Sequence, residues 1–351
     1  MSADEAFDSV LSHLRDTSQP VSMSVLYHLS DLSRQDRDEL ETLWPELDTE
    51  RRQAIVQNLH EIAEANFEVS FDAVFRLALE DESPEVRATS IRALWESEEP
   101  DLIAPFLNFL QNDSDPLVRA AAASALGRYI YLGEIEELPA AQSQRVEKAL
   151  LAVIHGSDEL EVRRRALEAL AFSSRPEVHE LVRTAYDSDE AKMRVSAVFA
   201  MGRTANADWA KPVRAELDSP EPEMRFEAAR AAGELELQDA GPRLAELTSD
   251  ADQQVREAAI WSLGQIGGEF ARETLTQLLE QAEDDDSQEF IQEALENLDF
   301  TDEMQAFSMF EFEPGEEDTL ELDLEDEEVE DEDLEADDLD ADSGDEEDEA
   351  E

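Results

Sequence analysis

The chain contains no cysteine, and no lysine or arginine follows Arg272. The missing cysteines exclude disulfides, thiolate metal sites and cysteine nucleophiles, and they fit a reducing compartment such as the cytoplasm. No apolar run approaches the roughly 18 residues that a spanning helix needs. The N-terminal stretch MSADEAFDSVLSHLRD carries early acids and no long apolar segment, which predicts no signal peptide. Walker A loops, GxGxxG, GxSxG and HExxH are all missing, so the common phosphate, dinucleotide, serine-hydrolase and zinc-protease signatures do not apply. The missing bases leave residues 273–351 with 38 acids and nothing to balance them.

What is present is acid and a repeat. Across 351 residues, 27 basic side chains face 91 acidic ones, a net charge of −64. The part before residue 273 holds all 27 bases and 53 of the acids, so it too is negative. Phosphate contacts need clustered Lys and Arg, which argues against nucleic acid as a partner. The same charge disfavours an anionic membrane surface.

One pattern recurs: a polar turn, an apolar residue followed by Arg, small residues, then Leu or Met, often closed by Gly. The copies are SPEVRATSIRALW (83–95), DPLVRAAAASALG (115–127), ELEVRRRALEALA (159–171), EAKMRVSAVFAMG (190–202), EPEMRFEAARAAG (221–233) and DQQVREAAIWSLG (252–264). Their arginines, at 87, 119, 163, 194, 225 and 256, are spaced 32, 44, 31, 31 and 31 residues apart. The long step contains an insertion near 129–141. Weaker copies occupy 49–61 and 287–299, and divergent hairpins are expected at 3–30 and 34–64. About nine units result, and a period in this range marks a stacked-repeat protein.

Each unit reads as two helices. Ser83 and Asp115 are placed to cap the second helix, with Pro84 and Pro116 in its first turn, where a missing N–H is harmless. Let the apolar anchor of each second helix be position 0. Positions 3, 4, 7 and 8 then share its face, because a helix turns by about 100° per residue. Position 4 is small (Ala122, Ala166, Ala197, Ala228, Ala259), and so is position 7 (Ala93, Ala125, Ala169, Ala200, Ala231). Position 8 is often large and apolar (Leu94, Leu126, Leu170, Met201, Leu263). One hairpin cannot bury that face alone, so stacking has to.

These residues resemble HEAT repeats, of the short kind found in phycobilisome lyases and bacterial scaffold proteins. The resemblance covers roughly 67–299. It implies an all-α fold: an α-solenoid, a right-handed superhelix of about nine HEAT-like hairpins. The expected layout is divergent hairpins over 1–64, the repeat solenoid over 65–300 and a disordered acidic tail over 301–351. The repeated arginines read as structural. An acid or hydroxyl lies six residues before most of them (Asp81, Asp113, Ser157, Ser188, Ser219, Asp250), and such pairs would tie each turn to its own second helix.

Positions 2 and 6 of the second helices lie opposite the core and are expected to face solvent. Most are small or polar. Val195, Phe199, Phe226 and Trp261 are not, and with Arg230 they form a candidate partner-binding patch over three successive units. The competing expectation is that superhelical curvature buries them between neighbours. In the tail, residues 311–351 hold 26 acids and no base, a composition that cannot offset its ordering entropy. It reads as a solubilising segment, a docking segment around 307–324, a polyanion for basic proteins, or a mask for the solenoid's own arginines.

Catalytic constellations are sparse. HEAT-like deoxyhypusine hydroxylases carry His-Glu pairs at one equivalent position. Here His60–Glu61 and His179–Glu180 fall in different registers and several units apart, so no metal or cofactor site is expected. The resemblance to bilin lyases implies a tetrapyrrole cavity that no residue constellation marks. The expectation is a cytoplasmic, non-catalytic scaffold or adaptor with a protein partner, a basic one being favoured by the overall field. An acidic-tail chaperone or nucleic-acid mimic, and a bilin lyase-like enzyme, stand as alternatives.

Overall fold

A computed structural model describes residues 3–311, with side chains over 7–303. The compact helical unit ends at Ala306. Of the acidic tail expected over 301–351, and of the docking segment expected around 307–324, the residues from 312 onward lie outside the described residues. The described residues contain helices and no strand.

The helices of the described residues follow one another in chain order as nine hairpins. They are α1 (Ala3–Arg15) with α2 (Met23–Leu26), α3 (Arg34–Leu43) with α4 (Thr49–Ala65), and α5 (Asp72–Ala78) with α6 (Pro84–Ala93). Next come α7 (Ile103–Asn112) with α8 (Pro116–Glu134), α9 (Ala140–Ile154) with α10 (Leu160–Leu170), and α11 (Pro176–Tyr186) with α12 (Ala191–Arg203). The last three are α13 (Ala210–Glu216) with α14 (Pro222–Glu234), α15 (Gly241–Leu247) with α16 (Gln253–Ile266), and α17 (Gly268–Gln281) with α18 (Asp285–Glu311). Helix α18 therefore continues through residues 301–311, a stretch that composition alone assigns to the tail.

Local sequence sets the start of three of the second helices. Ser83 accepts a hydrogen bond from the Val86 N–H, with Pro84 in the first turn. Asp115 accepts from the Leu117 N–H, and Asp252 from both Gln254 and Val255. Such caps satisfy donors that the helix itself cannot, each contributing about 1 kcal/mol. The long arginine step is explained by α8, which runs 19 residues where α6 runs 10.

Packing follows the small-residue pattern. From α6 through α14, each second helix packs against its own first helix and against the second helices before and after it. Gly127 and Gly202 show how close these helices come. A Cβ on Gly127 would lie 3.1 Å from the Ala169 Cα, and one on Gly202 would lie 2.9 Å from the Ala231 Cα. The large residue at position 8 fills the space beneath, with Leu94, Leu126, Leu170, Met201 and Leu263 all fully buried. Each such side chain contributes about 1.5–3 kcal/mol.

Candidate partner-binding face

Two sets of arginines run along the second helices, and they do different things. The first set is the repeated arginine at position 1. In five of the six copies its Nη1 donates to the backbone carbonyl six residues earlier: Arg87 to Asp81 (2.8 Å), Arg119 to Asp113 (2.9 Å), Arg194 to Ser188 (2.8 Å), Arg225 to Ser219 (2.9 Å) and Arg256 to Asp250 (2.8 Å). The expected pairing with the side chain at that place is corrected by the structure. The carboxylate of each turn instead receives the arginine of the preceding hairpin. Arg52 reaches Asp81 at 2.6 Å, Arg87 reaches Asp113 at 2.9 Å, Arg119 reaches Asp158 at 2.7 Å and Arg225 reaches Asp250 at 2.8 Å. The reason is geometric. A guanidinium is a rigid fork, so with one Nη on its own turn's carbonyl the other edge points across the gap to the next turn.

These ion pairs staple hairpin to hairpin. Asp81 also accepts from Trp44 Nε1 at 2.7 Å and from the Ser83 N–H at 2.8 Å. The hydrogen bond from Arg225 holds the Asp250 carboxyl below its ordinary value against the opposing effect of burial. At Asp158 burial pushes the pKa up, but hydrogen bonds from Arg119 and the Glu159 N–H outweigh it, and the net shift is downward. Three of the repeated arginines lack a staple: Arg256 bonds only to the carbonyls of Asp250 and Ala251 among the described residues, and the other two meet a serine. Arg163 and Arg194 sit where their carboxylate would come from Ser188 and Ser219, which are serines, and neither arginine makes an ion pair among the described residues.

The second set lies on the open side. Of the position-2 residues expected there, Ala88, Ala120, Arg164 and Val195 are buried, Val195 at 7% exposure. Val195 therefore does not stand on the surface, which corrects its place in the patch. A second helix inside the stack has three packed neighbours, so its covered arc extends past the half-circle that a lone hairpin would cover. The open strip that remains is centred on positions 6 and 10, one turn apart.

Phe199, Arg230 and Trp261 hold position 6 of α12, α14 and α16, and all three are partly exposed, as is Phe226. The neighbouring position 10 brings Arg128, Phe172, Arg203 and Glu234 onto the same strip. Their contacts form one continuous series. Arg128 pairs with Glu98 and lies 5.3 Å from the Tyr131 ring centre, and Tyr131 meets Phe172 edge-on at 6.0 Å. Arg203 lies over Phe172 at 5.7 Å and over Phe199 at 5.4 Å. Arg230 lies over Phe226 at 5.9 Å and Trp261 at 5.8 Å. Glu234 joins the last two groups, 3.2 Å from Arg203 and 3.5 Å from Arg230. Guanidinium–ring contacts of this kind contribute about 0.5–1 kcal/mol when exposed and more when desolvated.

The strip thus unites Phe199, Phe226, Arg230 and Trp261, as the sequence suggests, and adds Arg203, Phe172, Arg128, Tyr131 and Glu234, which the sequence pattern does not flag. Carrying the register one turn beyond position 6 finds Arg203 and Phe172. Beneath the strip, Glu227 has an Oε2 with no hydrogen-bond partner and almost no exposure. Burial pushes its carboxyl up to about 7; Arg230 opposes the rise, and Glu168 and Glu234 reinforce it. Burial likewise raises Glu234, against the pull of Arg203 and Arg230.

The His-Glu pairs occupy unrelated places. His60 is on α4, 3.7 Å from Glu64, and His179 is on α11, stacked on Trp209 at 4.3 Å. Among the described residues no group of three or more His, Asp or Glu side chains is arranged to hold a metal ion. No helix among them is long and apolar enough to cross a membrane.

Paired helices stacked along their second members, with a row of close glycine–alanine contacts, define an all-helical repeat solenoid. The family model for HEAT repeats matches residues 72–143, 178–250 and 210–299, more than half of the sequence, and the chain belongs to that family. A search of curated proteins by sequence finds no match. Among solved structures the chain is similar to YibA of Escherichia coli, at 18% identity over 79% of this chain and 96% of that one, with a TM-score of 0.43. It is also similar to the complex of CpcE and CpcF of phycocyanin lyase from Nostoc, at 17% identity over 65% and 94%, TM-score 0.44. Human deoxyhypusine hydroxylase aligns at 17% identity over 86% and 97%, TM-score 0.32. These distant likenesses carry nothing about activity to this chain.

Proposed function

We infer that the protein is a non-catalytic interaction scaffold of the cytoplasm, which binds a protein partner along the open strip of its second helices. The partner site is centred on Phe199, Phe226, Arg230 and Trp261, with Val195 as buried support one turn before Phe199. The observation behind this reading is the continuous guanidinium–aromatic series from Arg128 to Trp261, partly open to solvent over five successive hairpins. Side chains that served only to hold the stack would sit at the covered positions, as the leucines at position 8 do. Aromatic and arginine side chains on a partly desolvated surface are the groups that dominate binding energy in protein interfaces.

The test is affinity capture from the native lysate with three baits in parallel: the full chain, residues 1–306, and the full chain with Phe226→Ser and Trp261→Ser. A partner retained by the first two baits and lost from the third supports the surface reading. Basic proteins lost only with the tail would replace it with a polyanion role for the acidic segment. Bilin absorbance gained on mixing with a free tetrapyrrole would replace it with a lyase.

A further inference from the structure

The two sets of arginines differ in what their donors do. A guanidinium has five N–H donors. Arg225 places them on both oxygens of Asp250, at 2.8 Å each, and on the carbonyls of Ser219 and Pro220. Arg87 and Arg119 are occupied in the same way, by Asp113 and Asp158 and by two carbonyls each. Arg203 and Arg230, by contrast, share one carboxylate oxygen, Glu234 Oε1. The 3.5 Å bond to Glu234 is the only side-chain hydrogen bond of Arg230 among the described residues, and Arg203 has a buried Nε without a partner among them, which leaves its Nη groups as the donors that face outward. Two cations on aromatic beds, held by one anion, leave most of their donors without a protein acceptor.

Their placement is also fixed in advance. Stacking on Phe172 and Phe199 orients Arg203, and stacking on Phe226 and Trp261 orients Arg230. A planar guanidinium so held loses little freedom when it forms a two-pronged bond, and its natural complement is a carboxylate. A Cβ at Gly202, position 9 of the neighbouring helix, would meet the Glu234 carboxylate as well as the Ala231 backbone.

We propose that the strip recognises an acidic peptide segment, a carboxylate side chain flanked by aromatic or large apolar residues, with the carboxylate bridging Arg203 and Arg230. This rests on the surface reading and names the ligand chemistry of that same site. It departs from the basic partner that the overall charge suggests, because the donors on this strip need an acceptor. A carboxylate is favoured over nucleic-acid phosphate, since a chain of net charge −64 repels a dense polyanion far more than a single acidic side chain.

A basic ligand would reverse two signatures of this site. The long-range field of the protein opposes an acidic peptide, and salt screens that field beyond about 10 Å at 0.1 M while leaving the desolvated contact largely intact. Affinity should therefore rise with moderate salt. The groups facing Glu227 are Arg230, Glu168, Glu234 and Arg203, and its carboxyl titrates near 7. Its neutral form is the better neighbour for an incoming carboxylate, so affinity should also rise as the pH falls from about 8 to about 6.

The probes are three capped fluorescent peptides, Gly-Phe-Glu-Phe-Gly and its Gln and Lys counterparts, titrated into the full chain by anisotropy. The expected result is that the Glu peptide binds about tenfold more tightly than the Gln peptide. That preference should vanish in Arg203→Met with Arg230→Met and persist in Arg225→Lys. Because the Glu-to-Gln comparison varies only the ligand, it stands even if a protein variant folds poorly. A preference for the Lys peptide, equal binding of Glu and Gln peptides, or displacement of the Glu peptide by a single-stranded oligonucleotide overturns the carboxylate inference and leaves the surface reading intact. Absence of binding by all three peptides overturns it as well. Binding of every peptide undiminished by Phe226→Ser with Trp261→Ser sinks the surface reading itself.

Discussion

Arg225 and Arg230 lie five residues apart on one helix, and they represent two regions of this molecule. At the outer turns, arginines are saturated: each of Arg87, Arg119 and Arg225 holds its own turn by carbonyls and the next hairpin by a carboxylate. On the open strip, Arg203 and Arg230 rest on rings and share a single glutamate. The same residue type serves cohesion at one edge and is left available at the other. Among these five residues hydrogen-bond saturation separates the staple arginines from the strip arginines, whereas Arg163 belongs to the repeated set with its Nε buried and unpartnered.

The sharpest way to break the outer region is Asp81→Ala. It removes the acceptor of Arg52, Trp44 Nε1 and the Ser83 N–H in a nearly dry site. Loss of one partner from a buried pair costs about 3–5 kcal/mol, so the urea midpoint should fall strongly. Asp250→Asn, at a more accessible staple, should cost about 1–3 kcal/mol. Its pH dependence has a definite sign. The Asp250 carboxyl is depressed in the folded chain, so its contribution is complete above the unfolded value near 4 and disappears as pH falls through the lower folded value. The stability difference between Asp250→Asn and the parent should accordingly shrink in acid. A difference that grows in acid would refute the staple.

A smaller effect tests the gap in the staples. Ser219 stands where Asp250 stands one hairpin later, 25 residues beyond its arginine in both cases. Ser219→Asp should supply Arg194 with a carboxylate and raise stability by up to about 1 kcal/mol. No gain would mean that Arg194 is held away from that turn.

Much of this is legible in the sequence. The recurrence of an apolar–Arg pair and small residues locates the hairpins, because close helix approach needs Gly and Ala at fixed places, as Gly127 and Gly202 show. The caps at Ser83 and Asp115 are legible for the same local reason. Two things are not. Position 2 reads as solvent-facing because a single hairpin has one covered face, whereas Val195 is covered by the neighbours that only stacking supplies. Asp113 reads as the partner of Arg119 in its own hairpin, yet its carboxylate belongs to Arg87, since sequence distance carries no information about which turn lies across the gap. Phe199, Phe226 and Trp261 are visible because bulky apolar residues at an otherwise small or polar position stand out, and Arg230 because it lies on the same face beside them. Arg203 is not, because an arginine at a helix end looks ordinary until its ring neighbours are seen.

The most direct measurement compares Arg225→Met with Arg230→Met in the full chain, recording both the urea midpoint and the affinity of the folded protein for the Gly-Phe-Glu-Phe-Gly peptide. Arg225→Met is predicted to lower the midpoint and leave the affinity unchanged. Arg230→Met is predicted to leave stability within about 0.5 kcal/mol of the parent and to weaken binding about tenfold. Equal losses of stability in both variants, with no change in binding in either, would contradict the division and make both arginines structural.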